Sequence, residues 1–148
     1  MFWLAAELPP EIPPACVARA AAHYSVPAEL MVAVGRQEGG KVGKVYHRSH
    51  GDYYSWSQIS DKWLPVFAQW GYTASVLTNN ACANVYAEAY VLAYYKVREG
   101  SWPRAIARYN VGALDTPERV EAGTRYARKV LGHWQNIYEK WKDRADAK

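Results

Sequence analysis

Glu38 is the residue whose type and setting most readily do chemistry. Leu30, Met31 and Val34 place an apolar stripe on a helix, and Glu38 extends the Met31 and Val34 line by one more turn before Gly39 and Gly40 permit a left-handed cap. A carboxyl beside apolar side chains resists ionisation, and a pKa raised to about 6 lets it donate a proton near neutrality and then take one back. Read alone, the same residue is more often a solvated surface glutamate ahead of a helix cap. Gln58 and Trp56 follow in a segment without core periodicity, where the glutamine could orient a ligand and the tryptophan could stack on it. Tyr109 and Asn110 end a later helix, either as a packed aromatic and a C-cap asparagine or as cleft residues. His23, His47, His50 and His133 are too dispersed for a zinc motif, so no metal is expected.

The elements that must position these groups read as helices. Leu8 to Pro14 holds four of the eight prolines, so residues 1–14 are expected as an extended lead-in. An alanine-rich helix spans 15–24, and Pro27 opens a second that closes at Glu38. Residues 41–54, with Gly43, Gly51, three basic side chains and two histidines, predict a functional loop. Ser60 can cap a helix that ends at Gly71, with Pro65 early in it or kinking it. A short turn leads to Asn80, and Val85, Tyr86, Ala89, Tyr90, Ala93 and Val97 mark a helix over 83–98 that should cross the centre. Ser101 and Thr116 start two more helices, the last running to Trp141, with a fraying polar tail at 142–148. No segment alternates with period two over strand length, so the expected fold class is all-α, a single domain over residues 15–141.

Composition sets limits. The 148 residues fit one domain, and half of them are apolar, so a packed core is expected. The net charge of 18 − 14 = +4 comes from scattered basic residues, which speaks against a nucleic-acid partner. No run approaches the roughly 18 apolar residues of a membrane span, and residues 2–6 are too short and lack the basic flank of a signal segment. Cys16 and Cys82 are too far apart for a CxxC motif, and they fit equally two buried thiols or one disulfide.

In this order the motifs resemble the lysozyme-like lytic transglycosylases, above all the small enzymes that accompany conjugation and type III or type IV secretion machines. The resemblance covers about residues 13–130. It rests on Cys16, Ala21-Ala22-His23-Tyr24 and Val26-Pro27, then Glu38-Gly39-Gly40, then Ser55-Trp56-Ser57-Gln58-Ile59-Ser60. Trp63-Leu64-Pro65, Asn80-Ala81-Cys82-Ala83-Asn84-Val85, Tyr109-Asn110-Val111-Gly112 and Tyr126 complete it. Ser55, Ser57 and Ser60 depart from the glycine, methionine and asparagine of the family motif. Ser55 lacks glycine's freedom at positive φ, so the loop is expected to take a different path.

The resemblance implies a lysozyme-like helical domain with a loop-lined cleft, Glu38 as the catalytic acid and base, and Gln58, Trp56, Tyr109, Asn110 and Tyr126 on the substrate. It also implies a Cys16–Cys82 disulfide, no cofactor, and an extracytoplasmic, periplasmic monomer acting on peptidoglycan strands beside a secretion or conjugation apparatus. Two other readings stand beside it. A muramidase on the same fold would need a polar group such as Asp52 to position water, and a weakly active wall-binding scaffold would need only the cleft.

Overall fold

The computed structural model describes residues 2–144. Helix makes up 69% and strand 7%, so the class is all-α with one small sheet. The helices, in chain order, are α1 (Phe2–Glu7), α2 (Pro14–Tyr24), α3 (Ala28–Glu38), α4 (Leu64–Phe67), α5 (Ala74–Asn79), α6 (Ala81–Glu99), α7 (Trp102–Val111) and α8 (Pro117–Trp141). Half of these starts follow the capping chemistry of the chain. The side chains of Thr73, Asn80, Ser101 and Thr116 each accept from a backbone N–H three residues on.

Three expectations need correction. Residues 41–54 are not a loop throughout: β1 (Val45–Arg48) and β2 (Gly51–Tyr54) form an antiparallel hairpin, and β3 (Ile59–Ser60) pairs with β2. Both long strands have mostly part-exposed residues, so no apolar alternation marks them. The N-terminal segment is not an extended lead-in, because Trp3, Leu4, Leu8 and Ile12 are core residues. Glu7 holds that segment to the body by ion pairs with Arg36 at 2.8 Å and Lys140 at 2.9 Å. The helix expected after Ser60 is split by Pro65 into a 3-10 turn, the short α4 and a second 3-10 turn over Ala68–Trp70. The end of the expected frayed tail, residues 145–148, lies outside the described residues.

α6 crosses the centre, as its length and pattern predict, and separates two apolar clusters. Val85, Ala89 and Leu92 face α1–α3 and α8, whereas Ala87, Val91 and Tyr95 face the sheet, α4 and α5. The disulfide between Cys16 and Cys82 fastens α2 to the first turn of α6, with Cα atoms 5.4 Å apart. Closing 66 residues of chain restricts the unfolded state by about 4 kcal/mol in the loop-entropy account.

Trp56 belongs to this core. It is 4% exposed and lies flat against α3 at Gly35, where any Cβ would overlap its six-membered ring. The expectation that it stacks on a ligand is therefore wrong for a physical reason: the missing side chain of Gly35 makes room for an indole inside. Trp56→Ala is expected to cost about 3–5 kcal/mol, seen as a melting temperature about 10 °C lower. A melting temperature unchanged by the substitution would return Trp56 to the surface role.

Candidate functional site

Glu38 is the last residue of α3, followed by Gly39 in the left-handed cap. Its backbone carbonyl is one of the four that a helix end leaves without an internal partner. The Gln58 side chain supplies that partner, donating from Nε2 at 2.6 Å. Gln58 thus sits beside the candidate acid, with its amide N–H spent on positioning the helix end. Gly40 lies flush on the same turn, and a Cβ there would run into the Ser55 carbonyl.

The turn over residues 54–58 is held from α6 by Asn84, which is 1% exposed. Asn84 Oδ1 accepts from the Ser57 N–H at 3.1 Å and the Ser57 hydroxyl at 2.7 Å, while Nδ2 donates to the carbonyls of Tyr54 at 2.9 Å and Leu77 at 3.1 Å. Ser57 is therefore a buried anchor. Ser55 adopts φ 64° in spite of its side chain, with its hydroxyl buried and, among the described residues, unpartnered. Gln58 is also left-handed, at φ 49°. Such backbone costs a side-chain-bearing residue on the order of 1–2 kcal/mol.

Tyr126 of α8 donates to Glu38 Oε2 at 2.5 Å. Burial pushes the Glu38 carboxyl up to about 7, against the lowering effects of the Tyr126 hydrogen bond and the Arg48 charge. Its place at the negative end of the α3 dipole acts in the same direction as burial. Behind it stands a carboxyl that sequence reasoning missed. Glu88 of α6 is 0% exposed, and among the described residues neither oxygen has a hydrogen-bond partner. Burial, and then repulsion from Glu38, hold its pKa well above the carboxylate range. Tyr109 feels both carboxyls and is held neutral by burial, and its hydroxyl donates to the Ser57 carbonyl at 2.7 Å. Glu88 was legible in principle, since it falls at i+3 from Val85 and i+4 from Asn84, within the buried stripe.

Beside this cluster opens a hollow of about 690 Å³, whose walls include Tyr53, Lys62, Trp63, Arg108, Tyr109 and Asn110. Glu38 is not on that wall, but Tyr53, which is, responds to the Glu38 charge. The structure so brings Glu38, Gln58, Tyr109 and Tyr126 together, puts Asn110 at the mouth, and removes Trp56 to the core. Asp52 lies on β2, part-exposed, 2.7 Å from His47 Nδ1. Among the described residues, no group of three His, Cys, Asp or Glu side chains is placed to hold a metal ion. No helix among them is long and apolar enough to cross a membrane.

Known proteins offer a distant likeness. No family model matches the chain. Protein IpgF of Shigella sonnei and protein IpgF of Shigella flexneri are each 23% identical to it over 124 residues. The alignment covers 82% of this chain and 80% of either relative, so it is a likeness along the whole domain rather than of one motif.

The buried carboxyls make stability depend on pH. A carboxyl raised in the folded state stabilises fully below its unfolded value, and that contribution is lost as pH rises through the folded value. For Glu38 the window runs from 4.5 to about 7, a difference worth about 3 kcal/mol. Glu38→Gln is expected to match the parent at pH 4 and to be more stable at pH 8 by up to that amount, with Glu88→Gln moving the same way. Urea unfolding at the two pH values checks this, and equal stability of parent and both variants at pH 8 contradicts it. Ser55→Gly should add about 1 kcal/mol by relieving the left-handed backbone and removing the unpartnered hydroxyl, which the same measurement reads.

Proposed function

We propose that this protein is a peptidoglycan lytic transglycosylase that cleaves the MurNAc-β-1,4-GlcNAc bond. One observation carries the reading: the Glu38 carboxyl, largely buried at a helix end and held by the Tyr126 hydroxyl, has its pKa pushed up to about 7. A group with that pKa is poised to give and to take a proton at neutral pH. Protonated Glu38 gives its proton to the glycosidic oxygen as the bond to C1 breaks. The resulting carboxylate keeps the Tyr126 hydrogen bond and then takes the proton of the sugar's own 6-hydroxyl, whose oxygen closes on C1. The product ends in 1,6-anhydro-MurNAc, and no water is consumed.

The hollow beside Glu38 supports a polymeric substrate with acidic branches. Its rings offer faces to sugars, and the exposed Lys62 on its wall suits the carboxylates of stem peptides. The Cys16–Cys82 bridge supports an oxidising, extracytoplasmic location, which in a wall-bearing cell is the periplasm or beyond. The resemblance to small transglycosylases of conjugation and secretion machines supports local opening of the wall for such an apparatus. Asp52, one polar group that a muramidase could use to position water, is engaged by His47 on the exposed hairpin, which favours the anhydro route.

Glu38→Gln keeps the shape and removes the acid, so clearing of a peptidoglycan suspension should fall by about 100- to 10,000-fold while the circular dichroism spectrum is retained. For the parent, kcat/KM should decline above about pH 7, as Glu38 loses its proton. Mass spectrometry separates the chemistries, since anhydro products are lighter than hydrolysed ones by one water. Reducing-end products establish the muramidase. A parent that binds the wall without clearing it is a scaffold component.

A further inference from the structure

A second concavity, of about 280 Å³, opens between α2, the Ala68–Trp70 turn and α6. His23, Tyr24, Trp70, Tyr72, Tyr86 and Tyr90 stand around it, and no Asp, Glu, Lys or Arg is on its wall. Trp70 is 46% exposed, an uncommon position for an indole. Burial, and then the neighbouring Tyr72, Tyr90 and Tyr86 phenols, hinder ionisation of Tyr24. Among the described residues, these hydroxyls make no hydrogen bond to the protein. Ring faces together with unspent neutral hydroxyls suit a ligand that is uncharged, flat and apolar on one side and rich in hydroxyls at its edge. A pyranose ring is such a ligand. A wall without lysine or arginine disfavours an anionic lipid or a nucleic acid, whose binding rests on cations.

We infer that this concavity is a second glycan site, which takes sugar rings of the same strand that enters the hollow beside Glu38; the inference rests on the glycan reading of that hollow. Ring packing links the two concavities. Trp63 and Tyr94 on the wall of the first lie 5.1 Å apart, Trp63 meets Tyr90 at 6.0 Å, and Tyr90 meets Trp70 of the second at 5.2 Å between ring centroids. An aromatic band thus runs along one side of α6 from one concavity to the other. A polymer longer than the cleft can follow it, so the second site acts on retention along the wall rather than on the reacting bond.

The test uses the full chain carrying Glu38→Gln, which halts turnover, with its seven tryptophans fluorine-labelled and titrated with chitohexaose, the β-1,4-linked hexamer of GlcNAc. The expected result is that the Trp70 and Trp63 signals both move, and that Trp70→Ala weakens binding about three- to tenfold. Trp70 is exposed, and Tyr86→Phe, which removes only a hydroxyl, gives a second variant expected to weaken binding with no change in melting temperature. Movement of Trp63 with a silent Trp70, and unchanged affinity in both variants, overturns the second site and leaves the cleft standing. Silence of both signals overturns the glycan reading of the cleft as well. Movement of Trp70 by a proline-rich decapeptide but not by chitohexaose makes the pocket a peptide groove and overturns the proposal.

Discussion

Asn84 fills every hydrogen-bonding position of its side chain, two as acceptor and two as donor, while almost wholly enclosed. A buried amide left half satisfied would cost about 1–3 kcal/mol, so its four partners are strongly fixed. Through them α6 sets the distance to α5, to the end of β2 and to the turn that follows. That turn then distributes the constraint: its Ser57 carbonyl receives Tyr109 of α7, and its Gln58 reaches the last carbonyl of α3. Four helices are referred to one amide, and Glu38 stands where their references meet.

Around that point the protein is locally less stable than it could be. Glu38 and Glu88 are carboxyls removed from water, and Ser55 and Gln58 bend the backbone in a sense that side chains oppose. Such features persist only where their surroundings over-determine them. The surroundings here are the disulfide, a core shared by both faces of α6, and the ion pairs that hold the N-terminal segment. Strain at the centre and reinforcement at the periphery is the distribution expected when a proton-transfer group must be kept near neutrality.

The features legible in the sequence were those with local causes. Capping side chains at Ser101 and Thr116, the glycine after Glu38 and the 3-to-4 spacing of α6 all act within a turn or two. Glu38 and Tyr126 were each reached through the resemblance, Tyr126 as a residue on the substrate, and the structure joins the two directly. The hairpin escaped notice because its exposure runs in blocks along each strand, from part-exposed to exposed in β1 and from part-exposed to buried in β2, without the alternation that betrays a half-buried strand. α1 was hidden by the prolines beside it. Trp56 was misplaced because its burial is decided by the absence of atoms at Gly35, a cause distant in sequence and invisible to periodicity.

That pair also has a history written into its geometry. Because the indole occupies the volume a Cβ would take at Gly35, the two positions are not free to drift separately. A descendant lineage can gain a side chain at 35 only after the ring at 56 has been exchanged for something smaller, and the reverse order passes through an overpacked intermediate. Substitutions at these sites should therefore be inherited together, in one order, leaving a covariation signal between the helix that carries the candidate acid and the turn that braces it.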